Sequence, residues 1–424
     1  MLSLCMIAKD EEKFIGDCLA SVRGLVDEII VVDTGSSDKT REIAKNHGAD
    51  VFSFTWTNDF SAARNEALVH AHGDWILVLD ADEALDQPTH AAISECMKNE
   101  IAWGFRIPIF NYSNDAHLPG WSSVNDTAYA KGFSGFILTR VVRLFRNKPE
   151  IKYRFSVHEG VEFSIEERHG TLVQAPFVIH HYGALRGTGS STFKQQAYFS
   201  LVQQDCQHYP THPKPFYELG IGYMDLGELD KATDAFQQAI KNNEQYLIPY
   251  HQIGEIACRK GELQKAKELF EKSISLHPEH EETYFRLGQV CVSLQDDNNA
   301  QICWKKALER NPRSVRYFDA LIQLYLTKKE PLAALALLYD AVRNTRHKHF
   351  SQQLQQVEMQ LIAEAKKILA SGPEKVALTT LITIAFYRGE YKKVIALCNE
   401  AKKHFTGMDG RSFDVFTEKA TSNL

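Results

Sequence analysis

The sequence predicts an α/β domain in its first half, followed by an all-α solenoid of helical repeats. Up to about residue 187, short apolar strands alternate with amphipathic helices, an order typical of a parallel-rich sheet with right-handed crossovers. Beyond about residue 212, residues of one type recur every 34 positions, as in stacked helical units. A chain of 424 residues is also too long for a single core, so we expect two or three domains.

Seven segments within the first 80 residues alternate between strand and helix. Strands end in turn residues and helices carry apolar residues at helical spacing. In chain order they are the strand LSLCMIA (2–8), the helix EEKFIGDCLASVRGL (11–25), the strand DEIIVVD (27–33), the helix DKTREIAKNHG (38–48), the strand ADVFSF (49–54), the helix SAARNEALVHAHG (61–73) and the strand WILVLD (75–80). The small residues of RGTGSST, at 186–192, predict a linker after this domain.

The second half repeats with a fixed period. Gly220, Gly254 and Gly288 are 34 residues apart, which is the tetratricopeptide period. Alanines and large aromatic or aliphatic residues keep the same step: Ala232, Ala266, Ala300 and Ala334; Phe216, Tyr250, Tyr284 and Phe318; Phe236, Phe270, Trp304 and Leu338; Pro278 and Pro312. We therefore predict a domain over 1–187, a linker helix over 188–212, tetratricopeptide repeats over 213–348, a further repeat-like helical unit over 349–406 and a tail over 407–424.

The composition argues against nucleic-acid-binding, disulfide-rich, secreted and membrane-spanning proteins. A net charge of −6 gives no basic footprint for nucleic acid. The eight cysteines are scattered without CxxC spacing, which favours a reduced cytosolic chain over a disulfide framework. The first apolar run is too short for a signal peptide, and no run approaches the ~18 apolar residues of a transmembrane helix. We expect a cytoplasmic protein, with peripheral association at the inner membrane face left open.

Carboxylates gather where the strand over residues 75–79 ends. Asp80 and Asp82 directly follow five apolar residues that predict a strand buried on both faces. Acidic side chains at such a position cost stability unless a cation lies nearby. Carboxylates are suitable ligands for Mg²⁺ or Mn²⁺, and a cation there would neutralise a diphosphate. The alternative is a solvated acidic loop.

Three further segments reach the same end of the predicted sheet. Asp33 follows a second buried strand, where an exposed carboxylate could accept hydrogen bonds from a ribose or a base; Asp38 is suited to cap the next helix. Glu11 begins the first helix, where the helix dipole is its structural explanation. Arg64 and Asn65 stand early in a helix and suit phosphate and sugar contacts. Each of these residues taken alone is best explained by a structural role. Their joint position at one end of the predicted sheet favours a binding site.

These segments, in this order, resemble the family-2 glycosyltransferases of the nucleotide-diphospho-sugar (GT-A) fold. The resemblance is carried by LCMIAKDEEKFIGDCLASV, DEIIVVDTGSSDKT, NDFSAARN and VLDADE. It is strongest to the bacterial branch fused to tetratricopeptide repeats, which includes bacteriocin-peptide S-glycosyltransferases. It covers about residues 1–185 and extends through the repeats towards 348. One departure is Asp10, where family members often have asparagine.

The resemblance implies where a nucleoside-diphosphate sugar and a metal would bind. The nucleoside would contact Asp33 and Glu11, with the backbone around Ala8 beside the base. The diphosphate-sugar would lie along Arg64 and Asn65, Asp80 would face the ribose or the metal, and Asp82 would ligate the metal. The chain has neither GxGxxG nor GxxxxGK[ST], which argues against a dinucleotide dehydrogenase and an ATPase.

A second set of motifs, SVHEG and later IHHYG, also resembles the fused branch. It implies Glu159 as the base that takes the acceptor's proton, with an ion pair to Arg143 or Arg154 as the structural alternative. His158 would orient the sugar or the acceptor, although histidines on strands are often core residues. His181 would supply a metal ligand, and His180 would point the opposite way on the same strand.

Residues 109–136 separate these two halves and are rich in aromatic residues, asparagine and glycine. Trp121, Tyr129 and Phe133 could form a platform for a sugar or for an acceptor side chain. We expect this segment to be an acceptor-side loop.

The leading hypothesis is a metal-dependent, inverting glycosyltransferase that uses Mn²⁺ or Mg²⁺ and a nucleoside-diphosphate sugar, most often a UDP-sugar in this family. The acceptor would be a peptide, a protein or a saccharide held in part by the repeats. The repeats would alternatively bind a protein partner or a second copy of the chain. The competing hypothesis is a non-catalytic tetratricopeptide scaffold with an inactive transferase domain.

Overall fold

A computed structural model describes residues 1–124, 128–186, 192–372, 374–405 and 411–423. The chain forms two compact units, Met1–Arg286 and Leu287–Leu424. The first unit contains the α/β domain and the beginning of the helical repeats. Residues 187–191 of the predicted linker lie outside the described residues. Within the described part, no helix has both the length and the apolar character needed to cross a membrane.

The α/β domain is built on one mixed sheet. In the described residues its strands are β1 (Leu2–Ala8), β2 (Glu28–Asp33), β3 (Asp50–Ser53), β4 (Trp75–Val78), β5 (Glu83–Ala84), β6 (Ala102–Ser113), β7 (Trp121–Ser123), β8 (Gly135–Arg146), β9 (Thr171–Gln174) and β10 (Ile179–His181). Their order is β3-β2-β1-β4-β8-β6-β10-β5, with β7 on β8 and β9 on β6. Strands β3, β2, β1 and β4 are parallel, as the sequence predicts, whereas β8 is antiparallel to β4 and β6.

Helices cover both faces of this sheet. They are α1 (Ile15–Ser21), α2 (Thr40–Asn46), α3 (Phe60–Val69), α4 (Gln87–Cys96) and α5 (Glu162–Glu167), followed by a short 3₁₀ helix over Gly183–Arg186. Leu4 and Met6 of β1 share one buried cluster with residues of α1, α2 and α4. Cys5 belongs to a second cluster with Ala67 of α3 and Ile165 of α5. The continuous apolar run of β1 follows from this burial on both faces.

Helix pairs occupy the predicted repeat region. After α6 (Thr192–His208) the helices are α7 (Pro213–Asp225), α8 (Leu229–Asn242), α9 (Ile248–Arg259), α10 (Leu263–Leu276), α11 (Glu281–Ser293), α12 (Asp297–Arg310), α13 (Val315–Thr327) and α14 (Pro331–Thr345). The periodic glycines permit close contact inside each pair. A Cβ atom on Gly254 would lie 2.7 Å from the Phe270 ring, so the two recurring positions are packed against each other.

The last helices are α15 (Lys348–Leu369), α16 (Lys375–Tyr387), α17 (Tyr391–His404) and α18 (Arg411–Thr421). Helix α18 lies in the segment expected to be a tail. Its Phe413 and Ala420 are fully buried in a cluster with Ile382 of α16 and Val394 of α17. The apolar residues of this short helix pack against α16 and α17, so residues 411–421 belong to the last helical unit and the expected tail is wrong for them.

We predict that Phe413→Ala lowers the free energy of unfolding of the second unit by about 3–5 kcal/mol, because it leaves a cavity under α18. Val415→Ala is the matched control on the same helix, since Val415 is 50% exposed; its effect should stay within about 0.5 kcal/mol. Denaturant unfolding followed by circular dichroism measures both. Equal effects of the two changes would mean that α18 does not stabilise the unit.

Candidate active site

Three parallel strands deliver the candidate residues to one edge of the sheet. Strand β1 pairs with β2, where Ala8 lies opposite Asp33, and on its other side with β4. The chain moves from β1 outwards to β2 and β3, and β4 then returns to the opposite side of β1. Ligands of open α/β sheets bind outside the carboxyl ends of the strands at such a switch in strand order. Ala8, Asp33 and Asp80 therefore end at the same edge.

The loops after β1 and β2 hold each other. Asp33 is only 2% exposed, and its Oδ2 accepts hydrogen bonds from the N–H groups of Gly35 and Ser36, both at 3.2 Å. The exposed carboxylate expected at Asp33 is thus a buried one, because it closes the turn after β2. Glu11 is also buried, and its N–H donates to Thr40 Oγ1 at 2.6 Å. Since α1 begins at Ile15, Glu11 precedes the helix instead of starting it.

Arg64 points inwards from α3. The helix is capped by Asp59, whose side chain accepts from the N–H of Ala62 at 3.0 Å. Arg64 Nε donates to Glu159 Oε1 at 2.5 Å, and its Nη2 donates to Asp80 Oδ1 at 2.8 Å. Arg64, predicted to bind the donor diphosphate, thus bonds Glu159, the expected catalytic base, and Asp80. Glu159 pairs with Arg64 rather than with Arg143 or Arg154.

Arg143 extends this arrangement from β8. Its Nη2 donates to Asp80 Oδ2 at 2.6 Å and to Glu83 Oε1 at 3.3 Å. Glu83 Oε2 in turn accepts from the N–H of Asp80 at 2.8 Å. The five residues, defined here as the charge chain, alternate in sign in the order Glu159, Arg64, Asp80, Arg143 and Glu83. From the sequence, Arg143 is expected only as an ion-pair partner of Glu159. The signal for its position is an arginine within the apolar run VVRLF of a strand that pairs with β4.

Two carboxylates of the charge chain, Asp80 and Glu83, have pKa values shifted in opposite directions. Burial alone would raise the pKa of Asp80, but the charges of Arg143 and Arg64 more than offset it, so the pKa falls well below its usual range. Asp80 is therefore ionised, with each oxygen bonded to an arginine. Burial raises the pKa of Glu83 to about 7; Arg143 opposes this shift and Asp80 adds to it. An arginine that bonds two carboxylates offsets the cost of burying both.

Asp82 and His181, the two predicted metal ligands, lie side by side. Asp82 Oδ2 is 3.3 Å from His181 Nε2, and His181 Nδ1 is 2.7 Å from Asn111 Oδ1. Strand β10 pairs with β5 so that His181 lies opposite Glu83, which brings the two ligands together. Burial lowers the pKa of His181, but its hydrogen bond to Asp82 and the negative charges of Asp82, Glu83 and Asp80 together outweigh burial, so the pKa lies above its usual value. A Cβ atom on Gly183 would lie 2.8 Å from the His181 ring, so the glycine leaves space beside the pair.

This pair could hold a metal ion whose remaining ligands come from the substrate and from water. A carboxylate and an imidazole are acceptable to Mn²⁺, and the bond from His181 Nδ1 to Asn111 would orient the ring. Among the described residues there is no group of three or more His, Cys, Asp or Glu side chains able to hold a metal. The remaining ligands would have to be water and phosphate oxygens, as is common for Mg²⁺ sites.

His180 faces away from this pair, as expected for its neighbour on a strand. It is 5% exposed, its Nδ1 is 2.8 Å from the hydroxyl of Tyr112, and its ring stacks on Tyr129 with centroids 4.8 Å apart. Trp121 is 1% exposed and donates through Nε1 to Ser113 O at 3.0 Å. The expected aromatic platform is wrong for Trp121, because this side chain belongs to the core.

Two predicted donor-binding residues have other partners. The Asn65 amide donates to Tyr153 O at 3.0 Å and accepts from Tyr153 N at 2.8 Å, so it anchors the segment that leads to Glu159. His158 lies in a loop with φ 52° and is 61% exposed, and its Nε2 is 3.7 Å from Glu218 Oε2. The structure therefore does not bring Asn65 or His158 into the cluster around Asp80 and Asp82, although they are the sequence neighbours of Arg64 and Glu159.

We predict that Arg143→Met lowers the free energy of unfolding by about 3 kcal/mol, because it leaves Glu83 buried without a cation. This loss of stability is at the lower end of the range for breaking a buried ion pair, because the second partner of Arg143, Asp80, has a side chain that is 33% exposed and can be solvated. Adding Glu83→Gln should recover part of the loss. The exposed Arg168→Met is the control and should change stability by less than about 0.5 kcal/mol in denaturant unfolding. Equal losses from both arginines would contradict a stabilising charge chain.

Comparison with known proteins identifies both parts of the chain. Residues 3–136 match the family described as Glycosyl transferase family 2, and residues 214–246, 249–280 and 281–314 match the tetratricopeptide repeat. A TPR repeat-containing protein of Synechococcus elongatus is 34% identical over 250 residues, which are 57% of this chain and 56% of that protein. The SPbeta prophage-derived glycosyltransferase SunS of Bacillus subtilis is 26% identical over 244 residues, 57% of this chain and 53% of that protein.

An uncharacterized glycosyltransferase of Rickettsia typhi is 40% identical over 86 residues, which are 20% of this chain and 29% of that protein. The chain thus spans little more than half the length of the curated relatives that it matches over the longest stretch. Both matched families fall where the strand order and the helix pairs place an α/β domain and a repeat region. The chain therefore carries a family-2 glycosyltransferase domain followed by tetratricopeptide repeats.

Proposed function

We propose that this chain transfers a sugar from a nucleoside-diphosphate sugar, in the first instance a UDP-sugar, to an acceptor. The observation that carries the proposal is the Asp82–His181 pair, with 3.3 Å between Oδ2 and Nε2, at the carboxyl edge where β1, β2 and β4 end. The match to family 2 supports the same reaction. The base and ribose of the donor would lie over the turns that carry Ala8, Glu11 and Asp33.

Asp82 and His181 would hold Mn²⁺ or Mg²⁺ together with the donor diphosphate. When bound there, the cation would neutralise the charge that builds on the departing diphosphate. Asp80 would have a different role from the one expected. Because both its oxygens are bonded to arginines, it would keep Asp82 in position through the backbone instead of binding the ribose or the metal itself.

Glu159 would be the general base. Arg64 Nε is bonded to its Oε1, which leaves Oε2 to accept the acceptor's proton. The acceptor atom would attack the anomeric carbon as the bond from that carbon to the diphosphate oxygen breaks. The proton would pass to Glu159 and the nucleoside diphosphate would leave. A single displacement of this kind inverts the anomeric configuration.

The repeats would recruit the acceptor. Stacked helix pairs form extended surfaces that bind peptide segments, so a peptide or protein acceptor is our first choice. A saccharide acceptor, a separate protein partner and self-association through the repeats are the other uses of this surface.

We predict that Asp82→Ala reduces Mn²⁺-dependent donor hydrolysis by about 10²-fold. Loss of a residue that only supports the ligands of a bound metal already costs about 10–100-fold in metal affinity or activity, and Asp82 would be a ligand itself. A panel of nucleoside-diphosphate sugars with water as acceptor measures the rate, and calorimetry measures nucleotide binding. The exposed Asp50→Ala is the control and should match the wild-type chain. If the wild-type chain neither binds nor hydrolyses any donor in the panel, the scaffold hypothesis replaces this one.

We predict that Glu159→Gln lowers kcat for hydrolysis by about 10²–10⁴-fold and leaves nucleotide affinity within a factor of about two. Glutamine keeps an oxygen for Arg64 Nε and removes only the basic carboxylate, so the charge chain retains this hydrogen bond. Steady-state kinetics and calorimetry separate the two effects. A variant with wild-type kcat would rule out Glu159 as the base.

A further inference from the structure

The loop that carries Glu159 has an unusual backbone. It runs between β8 and α5, and its ends are joined by hydrogen bonds between Arg154 and Gly160 at 3.1 and 3.3 Å. Within it Phe155 has φ 72° and His158 has φ 52°, both in the left-handed region. Non-glycine residues in this region cost about 1–3 kcal/mol each and persist only where surrounding contacts hold them. The position of Glu159 therefore depends on what contacts this loop.

The α/β domain supplies contacts on one side. The N–H of Phe60, the first residue of α3, donates to Ser156 O at 2.9 Å, and Arg64 on the next turn bonds Glu159. Asn65 fixes the backbone of Tyr153 just before the loop. One helix of the transferase domain thus holds the loop at Ser156 and Glu159 and the residue before it at Tyr153.

The helices that lead into the repeats supply the other side. Asp205 of α6 is 3% exposed; its Oδ2 accepts from the N–H of Ser156 at 2.8 Å and its Oδ1 from Ser156 Oγ at 2.9 Å. Lys214 Nζ, from the first turn of α7, donates to His158 O at 2.6 Å. The two helices thus bond Ser156, three residues before Glu159, and His158, the residue directly before it.

Aromatic packing joins the same elements. The Phe155 ring is 3% exposed, with its centroid 5.1 Å from that of Tyr209 and 5.0 Å from that of His212.

A carboxylate as buried as Asp205 is costly unless its oxygens are hydrogen-bonded. Here both oxygens accept hydrogen bonds from Ser156 of the loop that carries Glu159, which offsets the cost of burying the acid.

We propose that Asp205 and Lys214 are positioning residues for Glu159. The two residues belong to the helices that open the repeat region, and they hold the loop over 154–160 in the conformation that points the carboxylate of Glu159 at the acceptor. The inference rests on the proposed function, since it takes Glu159 as the base. It also extends the catalytic unit beyond residue 187, because the base is fixed only when α6 and the start of α7 are present.

The test uses the full chain and donor hydrolysis with Mn²⁺. We expect Asp205→Ala to lower kcat by about 10²-fold, the scale on which a displacement of about 1 Å reduces rates. Asp205→Asn, which keeps one acceptor oxygen, should lose less. Donor KM and nucleotide affinity should stay within a factor of about two, because other elements hold the donor. The same change at an exposed site of α7, Asp225→Asn, is the control.

A double-mutant cycle separates positioning from general stability. Once Asp205 is alanine, Ser156→Ala should lower kcat little further, because the two side chains act as one unit. Lys214→Met, with the exposed Lys241→Met as control, should lower kcat by about tenfold with an unchanged thermal midpoint, even if Asp205→Ala unfolds the chain.

Wild-type kcat in Asp205→Ala and Lys214→Met, with an active wild-type chain, would overturn the positioning role and leave the proposed function intact. Equal losses in kcat and in nucleotide affinity would overturn it as well, since they would indicate a general loss of structure. A wild-type chain that binds and hydrolyses no donor would instead reject the proposed function.

Discussion

The site depends on one interaction, the alternating charge chain from Glu159 to Glu83. Each of its two arginines bonds a pair of carboxylates, and together they connect α3, the turn after β4, strand β8 and the loop before α5. Buried charges are tolerated when they are paired in this way, whereas removing one partner leaves an uncompensated charge. The sheet edge can hold three acidic side chains this close together because two cations from neighbouring elements lie between them. Asp82 is fixed as a consequence, since it lies between two members of the charge chain.

The charge chain also gives different surroundings to two aspartates, Asp80 and Asp82, that are separated by one residue. Asp80 is ionised and bonded to both arginines, so its role is to hold the turn. Asp82 points instead to His181, and the pair remains for a cation and a diphosphate in the proposed reaction. Glu159 is connected to the same chain through Arg64, which would make the geometry of the base and that of the metal pair mutually dependent. In the proposed reaction this connection would align the departing diphosphate with the base.

Local patterns in the sequence predict the first four strands, the helix pairs and the edge at which the acidic residues gather, because hydrophobic periodicity and strand ends are short-range signals. The loop expected over residues 109–136 is wrong in part, since β6 extends to Ser113 and β7 covers Trp121–Ser123. Partners are not predictable from local patterns. Arg143 bonds Asp80 from 63 residues away, and Asp205 bonds Ser156 from 49 residues away, so neither contact leaves a local pattern. An asparagine is a common sugar-binding residue, which is why Asn65 is expected from the sequence to contact the donor. Its amide instead bonds the backbone of Tyr153, which is distant in sequence and lies near Asn65 only in the folded chain. The final helix was missed because one short amphipathic segment resembles a polar tail.

A crystal structure with manganese and UDP is the most direct test of the proposed metal site. Crystals of the full chain grown with MnCl₂ and UDP, measured at a wavelength where manganese scatters anomalously, would locate the cation. We predict one anomalous peak within about 2.5 Å of Asp82 Oδ2 and His181 Nε2, with the diphosphate bound on the side of Ala8 and Asp33. A manganese ion or a diphosphate bound elsewhere, with the Asp82–His181 pair untouched, would contradict the proposed site.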